Sequence, residues 1–151
     1  MLLLISGLLG ELFVVGNNEN GNLGIDRTVS AVHNFTRVDI DPVQVAAAAE
    51  TTAVLASDGR VYTAGHNVLG SLCVPTENAE YQDSFAPVPG LEPGDTVQIA
   101  ASSKALLILL RNGSVRACGS NEDGRLSFFN VPDMEEHVLS EVGLPDGIFI
   151  K

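Results

Sequence analysis

The pattern G-x-N-x-x-G-x-L occurs three times in this chain, as Gly16 to Leu23, Gly65 to Leu72 and Gly119 to Leu126. The copies begin at positions 16, 65 and 119, so the periods are 49 and 54 residues, within the window of propellers and solenoids. A repeat unit of that size buries its apolar face only by stacking on a neighbour. The chain is therefore expected to be a row of similar units.

With the first glycines in one column, the preceding residues fall into register. Leu4-Ile5 lies beside Ala53-Val54 and Leu107-Ile108, then Gly10 beside Gly59 and Gly113. Leu12-Phe13-Val14 follows beside Val61-Tyr62-Thr63 and Val115-Arg116-Ala117. Each unit reads strand, tight turn, strand. Asp58-Gly59 and Asn112-Gly113 predict two-residue type I′ hairpins, which need φ > 0 at both central positions.

A second landmark precedes two of the hairpins, where Val43-Gln44-Val45-Ala46-Ala47 matches Val97-Gln98-Ile99-Ala100-Ala101. Such small apolar strands suit a crowded inner position where neighbouring sheets converge on an axis. A sandwich-core strand would look similar taken alone; the repetition favours the propeller. After each glycine-asparagine corner comes an irregular loop and a weaker extended stretch, Phe35–Val38, Phe85–Val88 and His137–Ser140. These read as outer edge strands, where proline is tolerated. The fold class is thus all-β, with propeller blades of four antiparallel strands and about three blades in residues 1–151. The units run approximately 1–40, 41–94 and 95–145, and 146–151 starts a further one.

The recurring corner is read as structural. Gly16, Asn18, Gly21 and Leu23, then Gly65, Asn67, Gly70 and Leu72, then Gly119, Asn121, Gly124 and Leu126 hold its four fixed positions. The first glycine permits an unusual backbone angle, the asparagine bonds to nearby main chain, the second glycine reverses the chain and the leucine anchors between blades. A phosphate cradle is not supported, since neither G-x-G-x-x-G nor a P-loop lysine is present. No cofactor, metal site or catalytic constellation is expected, and the chain is read as a non-enzyme. His33, His66 and His137 fall in different columns and form no ligand set.

These corners, the hairpin Asp58-Gly59-Arg60-Val61-Tyr62-Thr63-Ala64-Gly65 and the V-A-A and I-A-A strands resemble the regulator of chromosome condensation family over essentially the whole chain. The resemblance implies a seven-bladed propeller and two kinds of role: a protein-binding module, or guanine-nucleotide exchange on the small GTPase Ran. The family's inner-strand glycine and histidine columns hold Ala48 and Ser102, and Leu2, Thr51 and Ala105, in this chain. The leading expectation is an interaction module or scaffold. Exchange on a Ran-type GTPase is the alternative, and a structural subunit of a larger assembly the second alternative.

Three blades do not close a ring of about 4–8. The surplus strand Ile148, Phe149 and Ile150 is expected to complete a blade begun elsewhere, giving a homo-oligomer, a complex with another chain, or a fragment of a longer parent. A lone arc would expose apolar sheet faces.

Charge narrows the partners. Eight Lys and Arg against 19 Asp and Glu give a net charge of −11, which repels phosphate backbones and anionic membranes. The expected partner is a basic protein or a small GTPase, with neither direct nucleic-acid nor membrane binding. Glu77, Glu80 and Asp83, and Asp133, Glu135 and Glu136, are candidates for an acidic docking rim; solvation of long loops is the plainer reading. The apolar N-terminal run lacks a basic region before it and an Ala-x-Ala site after it, so it reads as a strand rather than a signal peptide. Cys73 and Cys118 sit in different columns and form no repeated framework, so they are expected to be reduced and buried, consistent with cytoplasm or nucleus.

Overall fold

The computed structural model describes residues 2–6, 10–75, 80–122, 126 and 135–143. Among them, strands β1 (Leu2–Ser6), β2 (Leu12–Asn17) and β3 (Ala31–Val38) form one sheet in that order. β4 (Pro42–Ala47), β5 (Thr51–Ala56), β6 (Val61–His66) and β7 (Tyr81–Pro87) form a second. β8 (Thr96–Ser102), β9 (Ala105–Leu110), β10 (Val115–Ser120) and β11 (Glu135–Glu141) form a third. Every ladder is antiparallel between sequence neighbours. Each sheet is thus an up-and-down meander, with β4 and β8 at one edge and β3, β7 and β11 at the other. The sheets form an open series of blades.

The core lies between blades. β5, Thr51 to Ala56, is buried at every position, because each of its faces meets a different neighbour. Val54 joins Leu12, Val14 and Leu23 of the first blade. Ala53 and Leu55 point the other way, to Leu106, Ile108 and Leu110 of β9. The period-2 alternation of a strand therefore serves two interfaces at once.

The first residues of the inner strands carry β-bulges, between Pro42 and Gln44 and again between Thr96 and Gln98. The bulge re-aims the Gln44 side chain sideways at the next blade. There its Nε2 donates to the Ile99 carbonyl at 2.7 Å while its Oε1 accepts from the Ile99 amide at 2.9 Å. One amide side chain thus continues the main-chain pairing across the gap between inner strands. Gln44→Ala is expected to cost about 1–2 kcal/mol, read as a fall in Tm of a few degrees by calorimetry.

Two sequence expectations need correction. At the Asp58-Gly59 and Asn112-Gly113 hairpins only the glycines have positive φ, +79° and +85°. The Gly59 amide donates to Ala56 and the Ala56 amide to Arg60, with the matching pair Gly113 to Leu110 and Leu110 to Ser114. Each connection therefore has three loop residues, a type I turn closed by a glycine bulge, instead of the two-residue type I′ turn. The aspartate and asparagine favour it by accepting the amide two residues on, Arg60 at 2.9 Å and Ser114 at 3.0 Å. The second correction concerns the cysteines: Cys73 and Cys118 form a disulfide between the second blade's corner and β10 of the third. Different columns are no obstacle, because neighbouring blades bring unlike columns together. The argument from reduced cysteines to a cytoplasmic or nuclear setting therefore lapses.

Candidate functional site

The three corners share one buried anchor. Asn18, Asn67 and Asn121 are all buried, and each Oδ1 accepts the amide of the motif leucine: Leu23 at 3.0 Å, Leu72 at 3.1 Å and Leu126 at 3.0 Å. Asn18 Nδ2 donates to the carbonyls of Ile25 at 2.9 Å and Val29 at 3.0 Å; Asn67 Nδ2 reaches Val74 at 2.9 Å. The asparagine thus replaces a missing strand partner for an irregular loop, satisfying groups that burial would otherwise strand. Gly16, Gly65 and Gly119 have φ of +122°, +122° and +107°, and Gly21 and Gly70 lie at +72° and +76°. Leu23, Leu72 and Leu126 are buried. Gly124 lies outside the described residues.

The first corner is also seated on the following blade. The Thr52 hydroxyl of β5 donates to the Asn22 carbonyl at 2.7 Å. Tyr81, Asp83 and Phe85 alternate along β7, so they share one face, and all three meet the first corner. The Arg27 guanidinium lies 4.1 Å over the Tyr81 ring, and its Nε is 3.4 Å from Asp83 Oδ1. A Cβ on Gly24 would fall inside the Phe85 ring.

The candidate rim residues therefore divide. Asp83 is engaged with Arg27 and structural in its surroundings. Glu80 is 78% exposed at its side chain. Glu135 and Glu136 stand on β11, paired with Ser120 and Gly119. Glu77, Asp133 and the strand Ile148, Phe149 and Ile150 lie outside the described residues. The sequence reading missed Glu19, Asp26 and Glu50, which the fold brings to the same corner end of the blades. Their signal was the topology itself, because the β4–β5 turn and the corner loops come out at one end. Backbone and side-chain hydrogen bonds from Thr28 lower the Asp26 pKa and keep it ionised. His66, at the end of β6, donates from Nδ1 to Glu50 Oε2 at 2.9 Å and stacks on Tyr81 with ring centroids 4.6 Å apart.

At the opposite end a shallow cavity of about 190 Å³ is lined by Asp39, Asp41, Asp58 and Tyr62. The Tyr62 hydroxyl donates to Asp58 Oδ2 at 2.7 Å and Arg60 approaches the same oxygen at 3.1 Å. The Tyr62 bond first, then the Arg60 amide, hold the Asp58 pKa below its ordinary 3.8, while the same bond raises that of Tyr62. A depressed folded pKa contributes stability that is complete above the unfolded value and is lost as pH falls through the folded one. Tyr62→Phe is expected to move the Asp58 titration up toward 3.8, followed by carboxyl-carbon NMR. No group of three or more His, Cys, Asp or Glu among the described residues is placed to hold a metal ion. No helix among them is long and apolar enough to cross a membrane.

Buried-asparagine corners repeated on consecutive antiparallel meanders, one of three described strands and two of four, are the signature that comparison resolves. Residues 96–125 match the family described as Regulator of chromosome condensation (RCC1) repeat. The chain is therefore similar to RCC1 repeat proteins. It is 29% identical to the Regulator of chromosome condensation of Mus musculus over 133 residues, covering 83% of this chain and 30% of that protein. An RCC1 repeat-containing protein of Dictyostelium discoideum is 28% identical over 153 residues, 94% of this chain and 31% of the relative. Among solved structures, yeast RCC1 (Prp20) bound to Kap60 superposes with a TM-score of 0.82 at 16% identity, over 95% of this chain and 35% of that one. Prp20p from Saccharomyces cerevisiae, whose structure was described with its binding to Gsp1p and histones, gives 0.80 at 16% identity over 95% and 36%. Human WBSCR16 gives 0.77 at 21% identity over 93% and 36%. The RCC1-like chain has the all-β, propeller-blade architecture expected of it, as an open set of sheets, and spans about a third of the length of these relatives.

Proposed function

We propose that this RCC1-like chain is a non-enzymatic protein-interaction module whose corner end receives a basic protein. The observation that carries this reading is the acidic end itself: Glu19, Asp26, Glu50 and Glu80 project from corners and turns pinned by buried asparagines. Rigid loops on a stacked scaffold bind with little ordering cost, and the net charge of −11 steers a cationic partner toward them. Prp20p, an architectural neighbour, is described as binding histones, which makes core histones a suitable probe.

Calorimetric titration with core histones at low salt is expected to show binding that weakens at least about tenfold in a Glu19→Lys, Glu80→Lys double variant and falls with salt. Equal affinity in the variant would place the contact elsewhere; no binding of histones by the folded wild type would overturn the reading.

Exchange on a Ran-type GTPase is the second reading, and the binding of Prp20p to Gsp1p favours it. Assembly is part of the proposal. The half-buried Leu107 and Leu109 of β9 fall in the columns of Ala53 and Leu55, which the next blade buries to 2% and 4% exposure. The outer face of the third blade is thus prepared for a further blade, from a second copy, another chain or a longer parent. The 1–151 stretch acts as one propeller segment in that assembly, in the nucleus or cytoplasm, with a purely structural role as the remaining alternative. Native mass measurement separates these, since a self-completing module runs as an oligomer of 15.9 kDa units.

A further inference from the structure

The first and second corners hold the same four motif positions and differ just beyond the motif leucine. Gly24 and Cys73 occupy the same column, eight residues after the first motif glycine. Both amides close the same turn, Gly24 onto Gly21 and Cys73 onto Gly70, each at 2.9 Å. Both have positive φ, +68° and +58°. Glycine adopts that conformation freely, whereas a cysteine there is held against its backbone preference. What the side chain contributes in return is a covalent link: Gly24 lies against Phe85 of the next blade, and Cys73 is bonded to Cys118 of the next blade.

We propose that the Cys73–Cys118 pair is a redox-operated staple that decides whether the second blade's corner stays locked to the third blade. This inference is independent of what the corner end binds. The bond joins positions 45 residues apart, so it encloses β7, β8 and β9 and ties together the two blades that share the largest buried cluster. That cluster includes both cysteines beside Val61, Val88, Leu106 and Ile108. Reduction by a dithiol breaks the S–S bond: two electrons and two protons pass to the sulfurs, leaving two thiols, and the dithiol becomes a disulfide. Re-oxidation by a small-molecule disulfide runs the same exchange backwards.

Exchange requires a thiolate to approach one sulfur in line with the bond. Cys73 and Cys118 are both 0% exposed, so the reductant waits for the corner to lift. The staple is therefore slow to open while the blades are packed. Once open, the corner is left with its asparagine and leucine anchors and a backbone conformation unsuited to cysteine.

The test uses the whole folded chain. After air oxidation, alkylation in urea without reductant followed by intact mass should leave both cysteines unmodified. Reduction by dithiothreitol should be at least about tenfold slower in buffer than in urea, because buried bonds exchange through opening. Hydrogen exchange on the reduced protein should rise about tenfold or more at Ser71–Cys73 and along β10, while β2 is unchanged. Cys118→Ala should reproduce the reduced pattern and lose all response to dithiothreitol, and Cys73→Gly should do the same with a native-like corner. Should either variant fail to fold, the comparison of oxidised with reduced wild type decides alone. Two thiols alkylated in urea after air oxidation, or identical exchange in the two redox forms, would overturn the proposal.

Discussion

Gly65→Ala is expected to destabilise the protein by about 4 kcal/mol, with Gly119→Ala close to it. At Gly65 φ is +122°, and a Cβ built there runs into the main-chain carbonyl oxygen of Glu50. That carbonyl is not free to move, because it accepts the His66 amide at 3.0 Å and belongs to the turn that starts β5. Relief would require the Thr51–Gly65 pairing to open. At Gly119 the obstacle is the Lys104 carbonyl, which accepts the Ser120 amide at 2.8 Å. Gly90→Ala is the control: φ is +78° but nothing lies within 4 Å of the added atom. It should cost only the conformational penalty, about 1 kcal/mol. Urea melts of the three variants measure the difference, and equal midpoints would mean that close approach contributes nothing.

Asn18→Ala is expected to cost about 3 kcal/mol. The side chain is wholly buried; its Oδ1 satisfies the Leu23 amide and its Nδ2 the carbonyls of Ile25 and Val29. Alanine leaves those groups without a partner in a place water reaches poorly, and each orphaned group costs about 1–3 kcal/mol. A drop in Tm of about 10 °C follows for a chain of this size. Asn18→Asp keeps the acceptor but loses the donor and adds a buried charge, so it should be no milder. A melt unchanged by Asn18→Ala would show that the corner is held by its backbone alone.

Much of the fold is legible in the chain because the repeat restates it. Three copies of one corner set the columns, and the columns place strands, inner edges and outer edges. Less legible is whatever depends on the relation between neighbouring blades. Asp83 looks like part of an acidic loop in the sequence, yet it faces Arg27 of the preceding blade because Tyr81, Asp83 and Phe85 alternate on one strand face. The Cys73–Cys118 bond joins a corner column to a strand column of the next unit, a juxtaposition that no register within one unit contains. Its only sequence trace is a cysteine in the column where the first copy has Gly24. The hairpin type was missed for a local reason: Asp58 and Asn112 fit type I′ by identity, but their side chains cap the amide two residues on and favour a three-residue loop.

The candidate site divides along the same line. The acidic residues named from loop sequence are partly absorbed into packing, while Glu50 and Glu80 meet on either side of His66 only through topology. A motif that could have been a ligand loop is a joint between blades, and the surface beside it is the one proposed for recognition.

Release of fluorescent GDP from Ran, followed as the folded protein is added in increasing amounts, separates recognition from exchange most directly. The account predicts a release rate equal to the intrinsic one at every concentration, with histone binding retained in the same preparation. Acceleration of release that grows with protein concentration would contradict it.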